Sequence, residues 1–320
     1  MKSRPIFMGA LVVGVVLLAL AGVLIFGQND NDETPAENTA QTEDTSAAAM
    51  PDDEVHQQLT AQPAAGQSDV NPVQDFTTAG IAAAQAGDVE EAINAFQIAI
   101  AAAREDGEAA LPHFYLGSLY LELGEIEDAI THLKAATEAN AAMAMAWAQL
   151  GNAYLASGRP LSAIDAFDQA LALAPDDPAL LTNRGQAFMH IGDEAAFEKA
   201  KADFDRALEI NPDLIAGYFN RGAYYMRVGN LEAAIDDFTS VLDIDPAQPA
   251  AHFNRAMAYR DLGEIDKAIN DLVLVLAFRP DEALEAQAQA MLEELQAQQT
   301  EADGEPEDVP DEATEAPSGD

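Results

Sequence analysis

The sequence predicts an all-α solenoid of six helix-turn-helix repeats with a C-terminal capping helix, preceded by one transmembrane helix. Three observations predict this fold class. An uncharged apolar run of 21 residues lies near the N-terminus, and a pattern of small and aromatic residues recurs every 34 residues in the middle of the chain. After the last copy of the pattern, apolar residues at three- and four-residue spacing indicate one more amphipathic helix.

The apolar run at residues 6–26 is the candidate transmembrane signal anchor. As a helix rising about 1.5 Å per residue it would span about 30 Å, the thickness of the hydrocarbon core of a bilayer. Lys2 and Arg4 precede the run, and the next basic residue is Arg104. The positive-inside rule therefore places residues 1–5 in the cytoplasm. We expect a single-pass protein of the inner (cytoplasmic) membrane, with its repeats on the extracytoplasmic, periplasmic side.

A cleaved signal peptide is the alternative for the same run. Ala19, Leu20 and Ala21 fit a small-residue cleavage site. The apolar run continues beyond them to Phe26, which is long for the core of a signal peptide and favours an uncleaved anchor. Because the chain has no cysteine, a lipoprotein, disulfide bonds and thiolate metal sites are all excluded.

Two acidic segments flank the repeats. Residues 28–72 contain ten acidic residues and residues 301–320 contain nine, and neither segment has a Lys or Arg. Such compositions cannot bury enough apolar surface to become ordered, so we expect a disordered linker over residues 27–72 and a disordered acidic tail over residues 301–320. The tail is interpreted as solubilising; the alternatives are recruitment of a basic partner and protection of a groove.

The overall charge limits the classes of partner. The chain has 56 acidic and 15 basic residues, a formal net charge of −41. Binding to nucleic acid needs Lys and Arg to neutralise phosphates, so we expect no nucleic-acid partner. The acidity keeps the protein soluble and favours basic partners, and adaptation to a saline habitat is an equally good explanation of it.

The middle of the chain repeats one pattern of aromatic and small residues. The third copy has it at Trp147, Leu150, Gly151, Tyr154, Ala163, Phe167 and Pro175, and the fifth at Tyr218, Arg221, Gly222, Tyr225, Ala234, Phe238 and Pro246. The pattern resembles that of the tetratricopeptide repeat, TPR. Six copies can be placed, at residues 73–109, 110–143, 144–177, 178–214, 215–248 and 249–282.

The copies differ in detail, but the resemblance implies one way of packing. Phe76 and Ala83 replace the expected Trp and Tyr in the first copy, and Ala141 replaces the closing Pro of the second. Small residues let the two helices of a repeat approach closely, and neighbouring repeats stack into a solenoid with a concave surface. Residues 283–300 are expected to cap the last repeat through Leu284, Ala288, Met291, Leu292 and Leu295; an isolated amphipathic helix is the alternative.

Motifs for catalysis and cofactor binding are absent from the sequence. It contains no P-loop, no dinucleotide-binding glycine pattern, no H-E-x-x-H and no G-x-S-x-G. His113 and His252 stand where the third copy has Trp147, so packing explains them better than metal binding. We expect no enzymatic activity, no cofactor and no metal site.

Arginine and aspartate occur together in the last three copies. Position 7 of the repeat is Arg184, Arg221 and Arg255 there, and the position before the second-helix aromatic is Asp203, Asp237 and Asp271. The first three copies have neither residue: their position before the aromatic is Ala95, His132 and Ala166. Because the planar guanidinium can bond a carboxylate through two N–H groups, we expect structural ion pairs between the two helices of each of these repeats.

An asparagine precedes each of these arginines. A helix turns about 100° per residue, so Asn183, Asn220 and Asn254 should point to another side than the arginines, toward the inner surface. The resemblance implies that amides in this position bond the backbone of an extended peptide. The predicted peptide-binding residues are Asn183, Asn220, Asn254, Phe219, Phe253, Met257, Arg227 and Arg260. The alternative is that Asn-Arg-Gly is a structural variant of the repeat and binds nothing.

Together these features predict a membrane-tethered scaffold or adaptor that binds a peptide or loop of a partner protein at the cell envelope. The last three repeats hold ten of the thirteen Lys and Arg of the array, which favours binding of an acidic segment or a free C-terminal carboxylate there. Two alternatives stay open. One is a chaperone-like holder of unfolded clients in envelope or cytochrome c assembly; the other is a self-assembling structural protein, a homo-oligomer.

Overall fold

The computed structural model describes residues 71–105 and 107–304, and this part of the chain contains thirteen α-helices and no β-strand. The helices are α1 Pro72–Ala86, α2 Val89–Ala102, α3 Ala110–Leu123, α4 Ile126–Ala139, α5 Ala144–Ala156, α6 Pro160–Leu173, α7 Pro178–Ile191, α8 Glu194–Ile210, α9 Ile215–Arg227, α10 Leu231–Ile244, α11 Pro249–Asp261, α12 Ile265–Ala277 and α13 Glu282–Gly304. The all-α prediction is confirmed for these residues.

Several predicted segments lie outside the described residues. They are the cytoplasmic N-terminus at residues 1–5, the transmembrane helix at residues 6–26, the linker up to residue 70 and the acidic tail from residue 305. Among the helices that the structure does describe, none combines the length and the apolar character needed to cross a membrane.

Twelve of the helices pair into six hairpins, from α1–α2 to α11–α12, and each hairpin corresponds to one predicted repeat. The turn inside every hairpin contains a glycine with φ between 71° and 85°. This left-handed backbone region costs glycine little but strains residues with a side chain, so the glycine ends the first helix and reverses the chain. The six turn residues are Gly87, Gly124, Gly158, Gly192, Gly229 and Gly263.

The hairpins belong to two compact units that divide after Pro212. In the first unit, α1–α8, the second helix of each hairpin packs on the first helix of the next, and the first helices α1, α3, α5 and α7 contact in sequence. The second unit, α9–α13, has the same arrangement: α10 packs on α11, α9 contacts α11, and α13 packs on α12. We call the surface formed by these first helices the first-helix face of each unit.

In each of the first five hairpins a large side chain of the second helix packs directly against the backbone of the first helix at a glycine. Phe167 of α6 is fully buried, and a methyl group added to Gly151 of α5 would come within 2.6 Å of its ring. Overpacking of this kind costs about 1–3 kcal/mol, which explains why glycine is kept in a helix interior despite its entropic cost. The same close approach occurs at Gly80, Gly117, Gly185 and Gly222.

The longer first and fourth repeats use their extra residues differently. In the fourth repeat the extra residues lengthen the second helix, since α8 has 17 residues where α6 and α10 have 14. In the first repeat α2 keeps 14 residues, and the extra ones lie in the connection to α3.

The last helix covers the end of the second unit. Asp281 accepts hydrogen bonds from the backbone N–H groups of Ala283 and Leu284, which starts α13. The expected apolar stripe is buried, and α13 continues to Gly304, beyond the predicted end at residue 300. The first helix also begins earlier than expected: Asn71 caps it, and Pro72, assigned to the linker, is its first residue.

Candidate functional site

An arginine joins the two helices of the fourth, fifth and sixth hairpins. Arg255 Nε and Nη2 donate to the two oxygens of Asp271 at 2.8 Å each, and the Asp271 side chain is only 4% exposed. The other two pairs have the same two-bond geometry at 2.7–2.9 Å: Arg184 with Asp203 and Arg221 with Asp237. The structure thus brings together all six residues expected to form structural ion pairs.

Arg184 and Arg255 also reach the preceding repeat. Arg184 Nη1 donates to Asp168 Oδ1 at 2.6 Å, and Arg255 Nη1 donates to Thr239 Oγ1 at 3.0 Å. Both acceptors follow the aromatic residue of the earlier repeat, a position that the sequence reasoning did not consider. The hydrogen bonds that Arg184 donates to Asp203 raise the pKa of Arg184 against the opposing effect of burial, so the arginine keeps its charge in this ion pair.

The second hairpin fills the corresponding space with two histidines. Nδ1 of His113 on α3 lies 2.9 Å from Nδ1 of His132 on α4, and Tyr120 stacks on His132. Burial, and then the neighbouring charge of His132, lower the pKa of His113 to about 4. Burial also lowers the pKa of His132, with Asp128 opposing. Leu116 is fully buried where the later hairpins have arginine.

His252 has a structural position, as its match to Trp147 suggested. Trp147 Nε1 donates to the carbonyl of Ala141 at 2.9 Å, and His252 Nε2 lies 3.2 Å from the carbonyl of Pro246, six residues back in both cases. The other ring nitrogen of His252 lies 2.9 Å from Asp271 Oδ1. In the described residues no three His, Asp or Glu side chains are grouped so that they could hold a metal.

Asn183 is part of a chain of side-chain amides on the first-helix face of the first unit. Its Nδ2 donates to Asn152 Oδ1 at 3.3 Å, and Asn152 Nδ2 donates to Gln149 Oε1 at 3.1 Å. Gln149 and Asn152 were missed because they do not precede an arginine. The available signal was that Gln149 stands at the same repeat position as Asn183.

The second unit places its two predicted asparagines on α9 and α11, and both are half-buried. Asn220 Nδ2 donates to the carbonyl of Ala216 on its own helix at 2.9 Å. Within the described residues, Asn220 Oδ1 and the whole amide of Asn254 have no hydrogen-bond partner. The two side chains therefore offer hydrogen-bonding groups at the same position of adjacent first helices.

The two predicted aromatic residues lie deeper than expected. Phe253 is only 3% exposed, which corrects its expected place on the inner surface. Phe219 is half-buried: its ring lies 5.7 Å from that of Phe238 in an edge-on arrangement, and it packs against a buried cluster of Val241, Leu242 and Ala251. Both residues precede the asparagine, and 100° of helix rotation turns them toward the interior of the unit.

The remaining predicted residues lie toward the ends of the first helices. Met257 and Arg260 follow Asn254 at three-residue intervals along α11, and both are half-buried. Arg260 bonds its neighbour Asp261, with Nε donating at 2.8 Å. Arg227 is exposed in the last turn of α9. The first-helix face of this unit therefore combines amides, a flexible thioether and cationic groups.

Comparison with known proteins identifies the repeat. The family model described as tetratricopeptide repeat matches residues 77–144, 114–178, 148–215 and 219–302. A stretch of 65 residues, 20% of this chain, is 42% identical to Superkiller protein 3 of Schizosaccharomyces pombe. The chain spans only 5% of the length of that protein.

Solved structures share the fold at low sequence identity. A tetratricopeptide repeat protein from Parabacteroides merdae has a TM-score of 0.60 at 17% identity, over 74% of this chain and 95% of that one. Cut9 in its complex with Hcn1 has a TM-score of 0.57 at 22% identity, over 70% of this chain and 42% of that one. TTC0263 of Thermus thermophilus has a TM-score of 0.51 at 20% identity, over 57% of this chain and 99% of that one.

Proposed function

The chain belongs to the tetratricopeptide repeat family, and from this premise we propose that it is a non-catalytic adaptor that binds an extended segment of a partner protein. The single observation that carries this proposal is the pair of amides at matching positions of α9 and α11, with unused hydrogen-bonding groups. An amide has both a donor and an acceptor, so it can bond a peptide unit of any sequence.

The ion pairs between the two helices of these hairpins support binding without a large rearrangement. Arg255 and Asp271 bind the two helices of the last hairpin together through two short hydrogen bonds. Arg221 and Asp237 join the helix that carries Asn220 to its partner helix in the same way. Because both first helices are held by such pairs, little conformational entropy is lost when a partner binds. The adaptor therefore acts as a preformed surface.

Charge on the same face suggests the chemistry of the segment. Arg227 and Arg260 are cationic side chains on a chain whose formal net charge is −41. A carboxylate of the partner would compete with Asp261 for Arg260, and exposed ion pairs of this kind contribute only about 0–1 kcal/mol. Acidic side chains of the partner would therefore give selectivity, and the bonds to its backbone would give most of the affinity.

The proposal includes attachment to the inner membrane, with the repeats on the extracytoplasmic side. What supports it is the apolar run at residues 6–26 with Lys2 and Arg4 before it. The linker that follows would let the adaptor search for partners close to the membrane surface. Protease treatment of intact spheroplasts should remove the repeats if this orientation is right. Protection of the repeats from the protease would indicate the opposite orientation.

A variant lacking both amides tests the binding surface. Asn220→Ala/Asn254→Ala should retain wild-type helicity and melting, because neither amide bonds another helix within the described residues. In-membrane crosslinking followed by mass spectrometry should recover the native partner about tenfold less, since each lost bond contributes about 0.5–1.5 kcal/mol. Asn270→Ala, an exposed asparagine of the second helix α12, is the matched control. Equal recovery with both variants would refute the proposed surface.

A further inference from the structure

We infer that the side of α12 facing away from the rest of the second unit is an interface through which two copies of this chain associate. Four exposed apolar residues form it, and we call them the α12 patch: Val273, Leu274, Ala277 and Phe278. This interface is independent of the proposed function, because it lies on a second helix and not on the first-helix face. The partner that it takes is a second copy of the protein.

The apolar residues of α12 lie on two opposite sides of the helix. Leu272 and Val275 are buried on the side that packs within the second unit. On the opposite side Val273 is 49% exposed, and Leu274 and Phe278 are each 41% exposed. Single exposed apolar residues are common on protein surfaces, whereas several adjacent ones indicate contact with another molecule.

The third, fourth and fifth hairpins carry polar residues at the positions of Val273 and Leu274. The two residues that follow the second-helix phenylalanine in those hairpins are Asp168 and Gln169, Asp205 and Arg206, and Thr239 and Ser240. In the sixth hairpin α13 follows and packs on α12, yet both Val273 and Leu274 stay exposed beside it. The capping helix is therefore not the partner of these two side chains.

An arginine directly follows the patch in a strained conformation. Arg279 has a φ of 49°, in the left-handed region that the six hairpin turns give to glycine. Glycine would adopt this conformation at little cost, so the presence of arginine indicates that its side chain has a use. Within the described residues, the side chain of Arg279 forms no hydrogen bond or ion pair. Its charge is therefore available to a partner.

The charges beside the patch favour a second copy over other occupants. Three residues after Arg279, the carboxylate of Glu282 also has no ion-pair partner in the described part of the chain. A basic partner would place like charge against Arg279, and an anionic membrane surface would place like charge against Glu282. In a two-fold symmetric contact the patch meets itself, so each Arg279 can meet the Glu282 of the second copy.

The association is weak and depends on salt in a characteristic way. Four side chains cover far less than the roughly 800 Å² per partner of a standard interface, and two chains of formal net charge −41 repel each other. Salt screens this repulsion and leaves the apolar contact in place, so the dimer should become tighter as salt is added. Binding of a basic protein to the same patch would become weaker instead.

Crosslinking of the full-length protein in its membrane tests the contact, because the chain contains no cysteine that would give a background. Leu274→Cys places one thiol in the patch, and a short bifunctional maleimide should join two copies through it. The matched control is Leu161→Cys, which replaces a 68% exposed leucine of the first unit and should give at least fivefold less dimer. Equal yields from the two variants would overturn the inference.

Sedimentation equilibrium in detergent measures the strength of the association. Over about 1 to 200 µM, the range in which weak complexes dissociate, the wild type should pass from monomer to dimer. Val273→Asp/Leu274→Asp should raise the dissociation constant at least tenfold without loss of melting temperature, because both side chains are exposed. Leu161→Asp should behave like the wild type. A wild type that stays monomeric throughout, or a dimer that becomes weaker with salt, would contradict the contact.

A charge exchange identifies the occupant as a second copy. Arg279→Glu should weaken the dimer about three- to tenfold, since it replaces two symmetric exposed ion pairs by repulsion. Arg279→Glu/Glu282→Arg re-forms both pairs with reversed polarity and should return to within about twofold of the wild type. Arg279→Gly should also weaken the dimer but melt no lower than the wild type, because glycine relieves the strain. Failure of the double exchange to restore association would refute the pairing of Arg279 with Glu282 and with it the two-fold contact.

Discussion

Arginine at position 7 of a repeat shows how one residue can exchange an apolar contact for a polar one. In the third hairpin Leu150 and Ala166 are buried at positions that hold Arg184 and Asp203 in the fourth. A buried ion pair contributes little net stability compared with apolar residues, but removing one partner leaves an uncompensated charge. The arginine therefore changes the net stability little as long as its carboxylate is present. Because that carboxylate is buried, removing the arginine would leave an uncompensated charge.

Replacing one member of this pair should destabilise the protein much more than replacing both. Arg184→Leu leaves the buried carboxylate of Asp203 without its partner and should cost about 3–5 kcal/mol of unfolding free energy. Arg184→Leu/Asp203→Ala recreates the combination of the third hairpin and should cost clearly less. Denaturant unfolding followed by circular dichroism measures both.

An exposed pair provides the comparison for this prediction. Arg159 bonds Glu127 in the first unit, and both side chains are largely in water. Arg159→Ala should therefore change stability by no more than about 1 kcal/mol. A double variant as unstable as Arg184→Leu would show that the carboxylate left without its partner is not the source of the loss.

The sequence contained enough information for the ion pairs but not for all of their neighbours. Arg221 and Asp237 could be matched because the two residue types occur in the same repeats. The contact from Arg184 to Asp168 could not, since it depends on how two hairpins pack and not on the register of either one. Phe253 was misplaced for a related reason: helix rotation gives its direction, but the depth of burial depends on neighbouring helices.

The hairpin α3–α4 contains a half-buried pair of histidines whose protonation depends on pH. His113 and His132 share one hydrogen bond between helices, so the pair is satisfied when one ring donates and the other accepts. Burial holds the pKa of His113 near 4, whereas an exposed histidine titrates near 6.5. Tyr120 stacks on His132, and Asp128 is the acidic group whose charge acts on His132.

Acid should destabilise this hairpin before it protonates most carboxylates. Between about pH 6.5 and pH 4 the unfolded chain binds a proton at His113 that the folded chain does not, so stability falls as the pH falls through this window. After allowance for solvent screening, we expect a loss of about 1–3 kcal/mol. Thermal melts at intervals of pH measure it.

A variant without the pair should lose most of this slope. His113→Trp/His132→Ala introduces the residues that the third hairpin has at the same positions, Trp147 and Ala166. His190→Gln, which changes an exposed histidine of α7, should behave like the wild type. A variant that loses the pair but keeps the full wild-type slope would assign the acid sensitivity to other groups.

Over the whole molecule, like charges repel one another. A formal net charge of −41 over 320 residues destabilises the folded chain through self-repulsion. Among the described residues, the acidic side chains other than Asp203, Asp237 and Asp271 are at least partly exposed. At 0.1 M, salt largely screens the interaction between exposed charges that lie more than about 10 Å apart, while largely buried pairs such as Arg255 with Asp271 are screened much less. Screening should therefore weaken the repulsion between acidic side chains more than it weakens the arginine–aspartate ion pairs.

Added salt should accordingly raise the melting temperature. Between about 0.05 M and 0.5 M sodium chloride we expect an increase of a few degrees, since about 1 kcal/mol shifts the midpoint of a domain of this size by about 2–4 °C. Potassium chloride should have the same effect, because screening depends on ionic strength and not on the identity of the cation. A melting temperature that falls with salt would mean that attractive pairs outweigh the repulsion.

The pairing of arginine and aspartate also sets how such a chain can be shortened, lengthened or recombined. A chimera that joined α5 directly to α8 would bury Asp203 opposite Leu150, and one that joined α7 to α6 would place Arg184 opposite Ala166. Either crossover would leave a buried charge without its opposite charge, whereas exchange of complete hairpins would keep each buried carboxylate with the arginine of its own hairpin. The smallest unit that can be duplicated or transplanted in this protein is therefore the hairpin and not the single helix.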